Sequence, residues 1–166
     1  MVSRLILAFA FIGLLGSCST TLLEHDDALR ELRPVRALEP EKEKLPANLY
    51  VEVSNVADMG SSNKHRFQLY INGKSIKPKN EIHNATRIYY YELTLVPGYY
   101  EITGEYFWHN GWDEEKTSVK NADLVKIEKD KQTVLRVNIS KDERGRASVD
   151  EMMFDISYKK IPDYKL

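Results

Sequence analysis

From Asn48 onward the apolar residues recur at every second position, and that spacing dictates strands. Leu49, Val51 and Val53 alternate with Tyr50, Glu52 and Ser54, and Phe67, Leu69 and Ile71 alternate with Arg66, Gln68 and Tyr70. Tyr89, Tyr91, Leu93 and Leu95 fall on one face, as do Tyr100, Ile102, Gly104 and Tyr106. Val125 and Ile127, then Leu135, Val137 and Ile139, then Met152, Phe154, Ile156 and Tyr158 continue the pattern. Successive side chains of a strand point to opposite faces, so each set predicts a strand with one face in a core and the other in water.

The turn residues agree with that reading. Asn72-Gly73 between Ile71 and Lys74 is a two-residue hairpin signal, because both central positions of such a turn need positive φ. Pro97-Gly98 is expected to form a type II turn, with Gly98 at positive φ. Residues 129–132 and 142–145 are expected to close further hairpins. No long helix and no alternation of strands with helices competes. The expectation is therefore all-β: an antiparallel β-sandwich of about seven or eight strands over residues 48–160, followed by a short tail at 161–166. The single cysteine excludes an internal disulfide.

The N-terminus is of another kind. Arg4 precedes an apolar run over residues 5–15, which as a helix would cover only about half of a hydrocarbon core of roughly 30 Å. A positive charge, an apolar run and then small residues read as a secretory signal over residues 1–17. Leu15-Gly16-Ser17-Cys18 resembles the bacterial lipobox. The resemblance implies cleavage before Cys18 and attachment of lipid to that residue, the chain's only cysteine. It also implies a bacterial cell-envelope location, and Ser19 after the cysteine points to the outer membrane rather than the inner.

Residues 18–47 are expected to be a tether. Leu22, Leu29 and Leu32 give weak helical spacing over residues 22–33, ended by Pro34. Pro40, Glu41-Lys42-Glu43-Lys44 and Pro46 follow, a composition that buries little. A partner-binding helix over 22–33 is the other reading of this stretch.

Two longer runs carry a second resemblance. Phe67-Gln68-Leu69-Tyr70-Ile71-Asn72-Gly73-Lys74, and Tyr91-Glu92-Leu93-Thr94-Leu95-Val96-Pro97-Gly98-Tyr99-Tyr100-Glu101-Ile102 with the strands from Val125 to Ile139 after it, are similar to PEGA-like and transthyretin-like β-sandwich modules of bacterial surface proteins. That similarity implies a sandwich fold and a role in envelope interactions. It assigns no catalytic residue.

Chemistry is sparse. Lys and Arg number 24 against 25 Asp and Glu, so a net charge of −1 offers no bulk field for nucleic acid. His25, His65, His83 and His109 have no zinc-site spacing, and Asp113-Glu114-Glu115 lacks the alternating carboxylates of a calcium loop. No nucleophile elbow or phosphate-binding glycine loop is present. No enzyme activity, cofactor or metal is expected. Residues 106–115 hold both tryptophans, Trp108 and Trp112, beside Tyr106 and Asp113. Rings next to carboxylates and amides suit a sugar, but the same rings could plug the end of the sandwich. The strand tyrosines could likewise pack across strands or, if exposed, form a protein-binding face.

These readings converge on a lipoprotein held in the membrane through Cys18. Its β-sandwich is expected to act as a non-enzymatic protein-interaction or assembly module with an envelope protein as partner. The alternative is a carbohydrate- or peptidoglycan-binding lipoprotein that uses Tyr106, Trp108, Trp112 and Asp113. A smooth sheet face with exposed tyrosine and a free edge strand would favour the first, and an exposed, coplanar Trp/Tyr pair on one rim the second.

Overall fold

The alternation produces strands through most of the described residues. The computed structural model describes residues 22–38, 46–55, 65–82, 86–110, 113–139 and 153–161. Helix α1 (His25–Glu31) comes first, then β1 (Arg36–Ala37), β2 (Leu49–Asn55), β3 (His65–Ile71), β4 (Lys74–Ile76), β5 (Ile88–Leu93) and β6 (Gly98–Tyr100). They are followed by β7 (Ile102–Asn110), β8 (Asp113–Lys120), β9 (Val125–Ile127), β10 (Lys131–Ile139) and β11 (Asp155–Lys160). Two four-stranded sheets, in the orders β4-β3-β7-β8 and β11-β10-β2-β5, are joined by a small sheet β1-β6-β9. The chain is thus an all-β sandwich, as expected.

The inward sets are those the spacing predicts. Leu49, Val51 and Val53 of β2 and Leu135, Val137 and Ile139 of β10 are buried against Phe67, Leu69 and Ile71 of β3 and Tyr106 of β7. The Phe67 ring crosses from one large sheet to meet Tyr89 of the other, with centroids 6.1 Å apart. It also covers Gly104, where a Cβ would fall 2.3 Å from the ring. The glycine makes room for an aromatic ring laid over a bare backbone.

The Asn72-Gly73 hairpin forms as read, with φ of 48° and 75° and Ile71 paired to Lys74. The Asn72 side chain does more than tolerate the turn. Its Nδ2 donates to the Arg33 carbonyl at 2.6 Å, and its Oδ1 accepts from the Glu101 N–H at 2.9 Å.

Other expectations are corrected. Residues 22–38 are packed, not a tether. Leu23 lies along β4, its N–H donating to Ser75 O at 2.8 Å and its carbonyl accepting from Lys77 N–H at 3.0 Å. Ala28 and Leu32 enter the core at 0% and 1% exposure, and β1 pairs with β6. Helix α1 lies inside the stretch of weak helical spacing at 22–33, and tertiary packing supplies what propensity lacks. The tether residues 39–45 lie outside the described residues, with the signal at 1–17, Cys18 and the expected hairpin at 142–145.

Gly98 is not a turn glycine. It opens β6, and among the described residues the only positive-φ glycine is Gly73. A Cβ on Gly98 would lie 2.3 Å from Pro34 Cβ and 2.7 Å from Arg36 O. Residues 129–132 do not close a hairpin either: β9 pairs with β6, and β10 pairs with β2 and β11. The β2–β10 pair is parallel, the one parallel pair among the described strands, and Leu23 bridges Ile76 in parallel as well. Asp113-Glu114-Glu115, which read as a solvated acidic loop, instead open β8, whose polar sequence over residues 113–120 buries only Thr117 and Val119. In β11, Ile156 and Tyr158 are 40% and 49% exposed rather than buried.

Candidate interaction surface

The residues proposed for a sugar site do not form an exposed platform. Tyr106 and Trp108 project from β7 into the core at 0% and 1% exposure. Their rings stack on one another, with centroids 5.9 Å apart and planes at 25°. Trp108 Nε1 has no hydrogen-bond partner among the described residues. Asp113 is exposed at the start of β8, paired with Asn110 across the β7–β8 hairpin. Trp112 lies outside the described residues, as does Cys18.

The polar groups on the outer faces are mostly paired. Arg66 grips Glu114 with two contacts of 2.7 and 3.0 Å and lies 4.2 Å over the Phe107 ring. Glu105 accepts from Lys116 at 2.6 Å and from the Tyr70 hydroxyl at 3.0 Å. The Lys116 hydrogen bond, reinforced by Tyr70, holds the Glu105 carboxyl below the usual range despite partial burial. That suits an ion-paired surface group, not a proton donor. Among the described residues no cluster of three His, Cys, Asp or Glu could hold a metal ion.

The sheet edges distinguish one strand from the rest. An unpaired edge presents a row of free backbone groups to any passing strand, and natural sheets cover or charge such edges. The β4 edge is covered by Leu23. The β5 edge is covered by Lys79 and Asn80: Lys79 N–H donates to Tyr90 O at 2.9 Å, and Asn80 bonds both Ile88 O and Tyr90 N–H through its side chain. The β8 edge opens with four charged residues, Asp113 to Lys116. The β11 edge has no strand beyond it among the described residues, and every residue of β11 is exposed.

The ladder fixes which backbone groups are free. Ile161 N–H donates to Asp130 O, continuing the register in which Lys160 faces Lys131 and Ser157 faces Val134. Hydrogen-bonded pairs alternate along an antiparallel ladder. Asp155, Ser157 and Lys159 therefore turn their backbone groups to β10, while Ile156, Tyr158 and Lys160 turn theirs to the open edge. Phe154 N–H, next in that outward series, is taken by Asn121 Oδ1 at 3.1 Å. Side chains sort by the same parity. Ile156 and Tyr158 stand opposite the inward Leu135 and Thr133 but extend past the cover of the core. Beside them, Glu128 is held below the usual carboxylate range by hydrogen bonds from Lys126 and Lys131, at 2.6 and 2.8 Å. Asp155, Lys159 and Lys160 have no ion-pair partner among the described residues.

Sequence spacing found Ile156 and Tyr158 as one face of a strand but placed that face inside. The available signal was the pair Lys159-Lys160 at the strand's end, since lysine is the commonest guard of an edge.

No protein-family model, curated protein or solved structure matches this chain.

Proposed function

We propose that this chain is a lipoprotein anchored in the bacterial envelope, at the outer membrane, through Cys18, and that its β-sandwich is a non-enzymatic interaction or assembly module. The observation that carries the interaction is β11, an edge strand exposed on both faces, with Ile156 and Tyr158 beside backbone groups that no strand pairs among the described residues. An added strand gains main-chain hydrogen bonds along such an edge, and alternate side chains give it specificity. The anchor rests on Leu15-Gly16-Ser17-Cys18. A single acyl chain binds a membrane only reversibly, whereas two or three on one cysteine hold the protein there. The carbohydrate reading is weaker, because the buried Tyr106 and Trp108 offer no face to a sugar.

Two measurements test the proposal. Cys18→Ala should move the protein out of the membrane fraction or leave an uncleaved precursor; unchanged fractionation and mobility would remove the anchor. A photo-crosslinking amino acid at Tyr158 should give an adduct in intact cells, while the same group at Tyr50, on the outer face of β2, should give none. Absence of any adduct at Tyr158 would remove the interaction role of β11.

A further inference from the structure

The β11 edge is complementary to itself, and we infer that its partner is a second copy of this chain, joined antiparallel about a two-fold axis through Ser157. This inference deepens the interaction role proposed for β11 and rests on that reading.

Two constraints select the register. Under a two-fold axis normal to the sheet, residue i of one copy faces residue j of the other, and j faces i. Facing residues must both turn their backbone groups to the shared edge, or both away, so only pairings of like parity are allowed. Among these, one register pairs unlike charges and apolar neighbours together. Ser157 faces Ser157 of the second copy, Ile156 faces Tyr158, and Asp155 faces Lys159. A shift of two residues in one direction sets Ile156 against Lys160; a longer shift sets Lys159 against itself. Like charges directly opposite destabilise a sheet, and opposite charges or apolar pairs stabilise it.

The hydrogen-bonding parity fits the same register. Ile156 and Tyr158 carry the free N–H and C=O groups, so the two Ile156–Tyr158 pairs exchange four backbone hydrogen bonds. Ser157 and the Asp155–Lys159 pairs then occupy non-hydrogen-bonded positions, where facing Cα atoms come within about 4.5 Å. A residue meeting its own copy at that distance must be small, and serine is. An ion pair gains most there, and Asp155 and Lys159 have no competing ion pair among the described residues. The result is one continuous eight-stranded sheet, with the exposed Ile156 and Tyr158 side chains covering one another. The contact is small, so association in dilute solution is weak. Copies confined to one membrane meet at a far higher effective concentration.

The test uses the full chain in detergent at high micromolar concentration. Ser157→Cys should give a disulfide-linked dimer under mild oxidation, because facing Cα atoms at the axis lie within disulfide reach. Lys160→Cys should not, since its two copies lie about 20 Å apart along the strands, beyond that reach. Asp155→Lys should weaken association about tenfold, and Asp155→Lys with Lys159→Asp should restore it. Equal crosslinking at both cysteine positions, or crosslinking of Ser157→Cys that is indifferent to Asp155→Lys, would overturn self-pairing. A Tyr158 adduct to a different protein with no Ser157→Cys dimer would also overturn it, while leaving the interaction role intact. No adduct and no dimer would remove both.

Discussion

The side chain of Asn48 and the backbone of Leu95 hold each other at two points. Asn48 Nδ2 donates to Leu95 O at 2.7 Å, and Leu95 N–H donates to Asn48 Oδ1 at 2.8 Å, both buried. Asn48 also uses its own backbone: its N–H reaches Leu93 O at 3.0 Å, and its carbonyl accepts from Thr133 N–H at 2.8 Å. A fully buried polar residue thus ties the end of β5 to the start of β2 and of β10 just where the ladders stop.

Asn48→Ala should therefore cost about 2–6 kcal/mol, because it leaves a buried N–H and a buried C=O of Leu95 unpaired at about 1–3 kcal/mol each. Asn48→Asp should cost as much, since a carboxylate there faces the Leu95 carbonyl with no proton to give. Urea denaturation of both variants checks this, and a loss under about 1 kcal/mol would refute the importance of this pair of hydrogen bonds.

The second prediction concerns where the folded unit begins. Ala28 and Leu32 fill the core, and Leu23 covers β4. A chain truncated to start at Asn48 should melt well below one starting at Leu22, or fail to melt cooperatively. In the longer chain Leu32→Ala should cost about 2–5 kcal/mol. Equal melting of the two truncations would mean that the N-terminal segment is mere decoration.

Gly98 and Gly73 should respond to alanine for different reasons. At Gly73 the φ of 75° strains any Cβ although nothing lies within 4 Å, a cost of about 1–2 kcal/mol. At Gly98 the backbone is unstrained but Pro34 and Arg36 block the space. Gly98→Ala should cost about 1–3 kcal/mol and loosen residues 22–38 in particular. Limited proteolysis separates the cases: early cleavage in that segment is expected for Gly98→Ala and not for Gly73→Ala.

Stability should fall on both sides of neutral pH. Burial, assisted by the charge of Arg87, holds His65 below its ordinary value of 6.5. The unfolded chain then takes up the proton first, so stability declines as pH drops below 6.5 and levels once the folded form is protonated too. On the alkaline side burial pushes Tyr89 up to about 12 and raises Tyr91 further. The unfolded tyrosines ionise near 10, so stability declines from there toward 12. Denaturation midpoints across pH measure both limbs, and His65→Gln should flatten the acid one just below 6.5.

What the sequence disclosed was the pattern that burial imposes locally. Period two placed Val51, Leu69, Tyr91 and Leu135 inside, and Asn72-Gly73 announced its turn through the positive φ both residues need. Relationships between distant segments left no local trace. Gly98 looked like a turn glycine, because a glycine after proline is the usual turn signal, yet it is small for Pro34, far away in sequence. The strand at 113–120 was hidden by a polar sequence that buries only two side chains. Ile156 and Tyr158 obey the alternation perfectly, and only the extent of the opposite sheet decides that their inner face is uncovered. Tyr106 and Trp108 looked unusual together; period two already placed Tyr106 on the inner face, and extended by one more step it puts Trp108 there as well.

The parallel pairing of β2 with β10 bears on how the chain reaches this state. Ser54 and Asn138, which face each other in that pair, are 84 residues apart. Contacts of such span must close a long loop before any stabilisation is returned, which slows folding to the millisecond-to-second range typical of β-sandwiches. β11 pairs with β10, and β10 with β2, so the edge carrying Ile156 and Tyr158 exists only where the β10–β11 pair has formed. A chain that has not formed the β10–β11 pair has no β11 edge to offer, so a partner that binds that edge would sense completed folding.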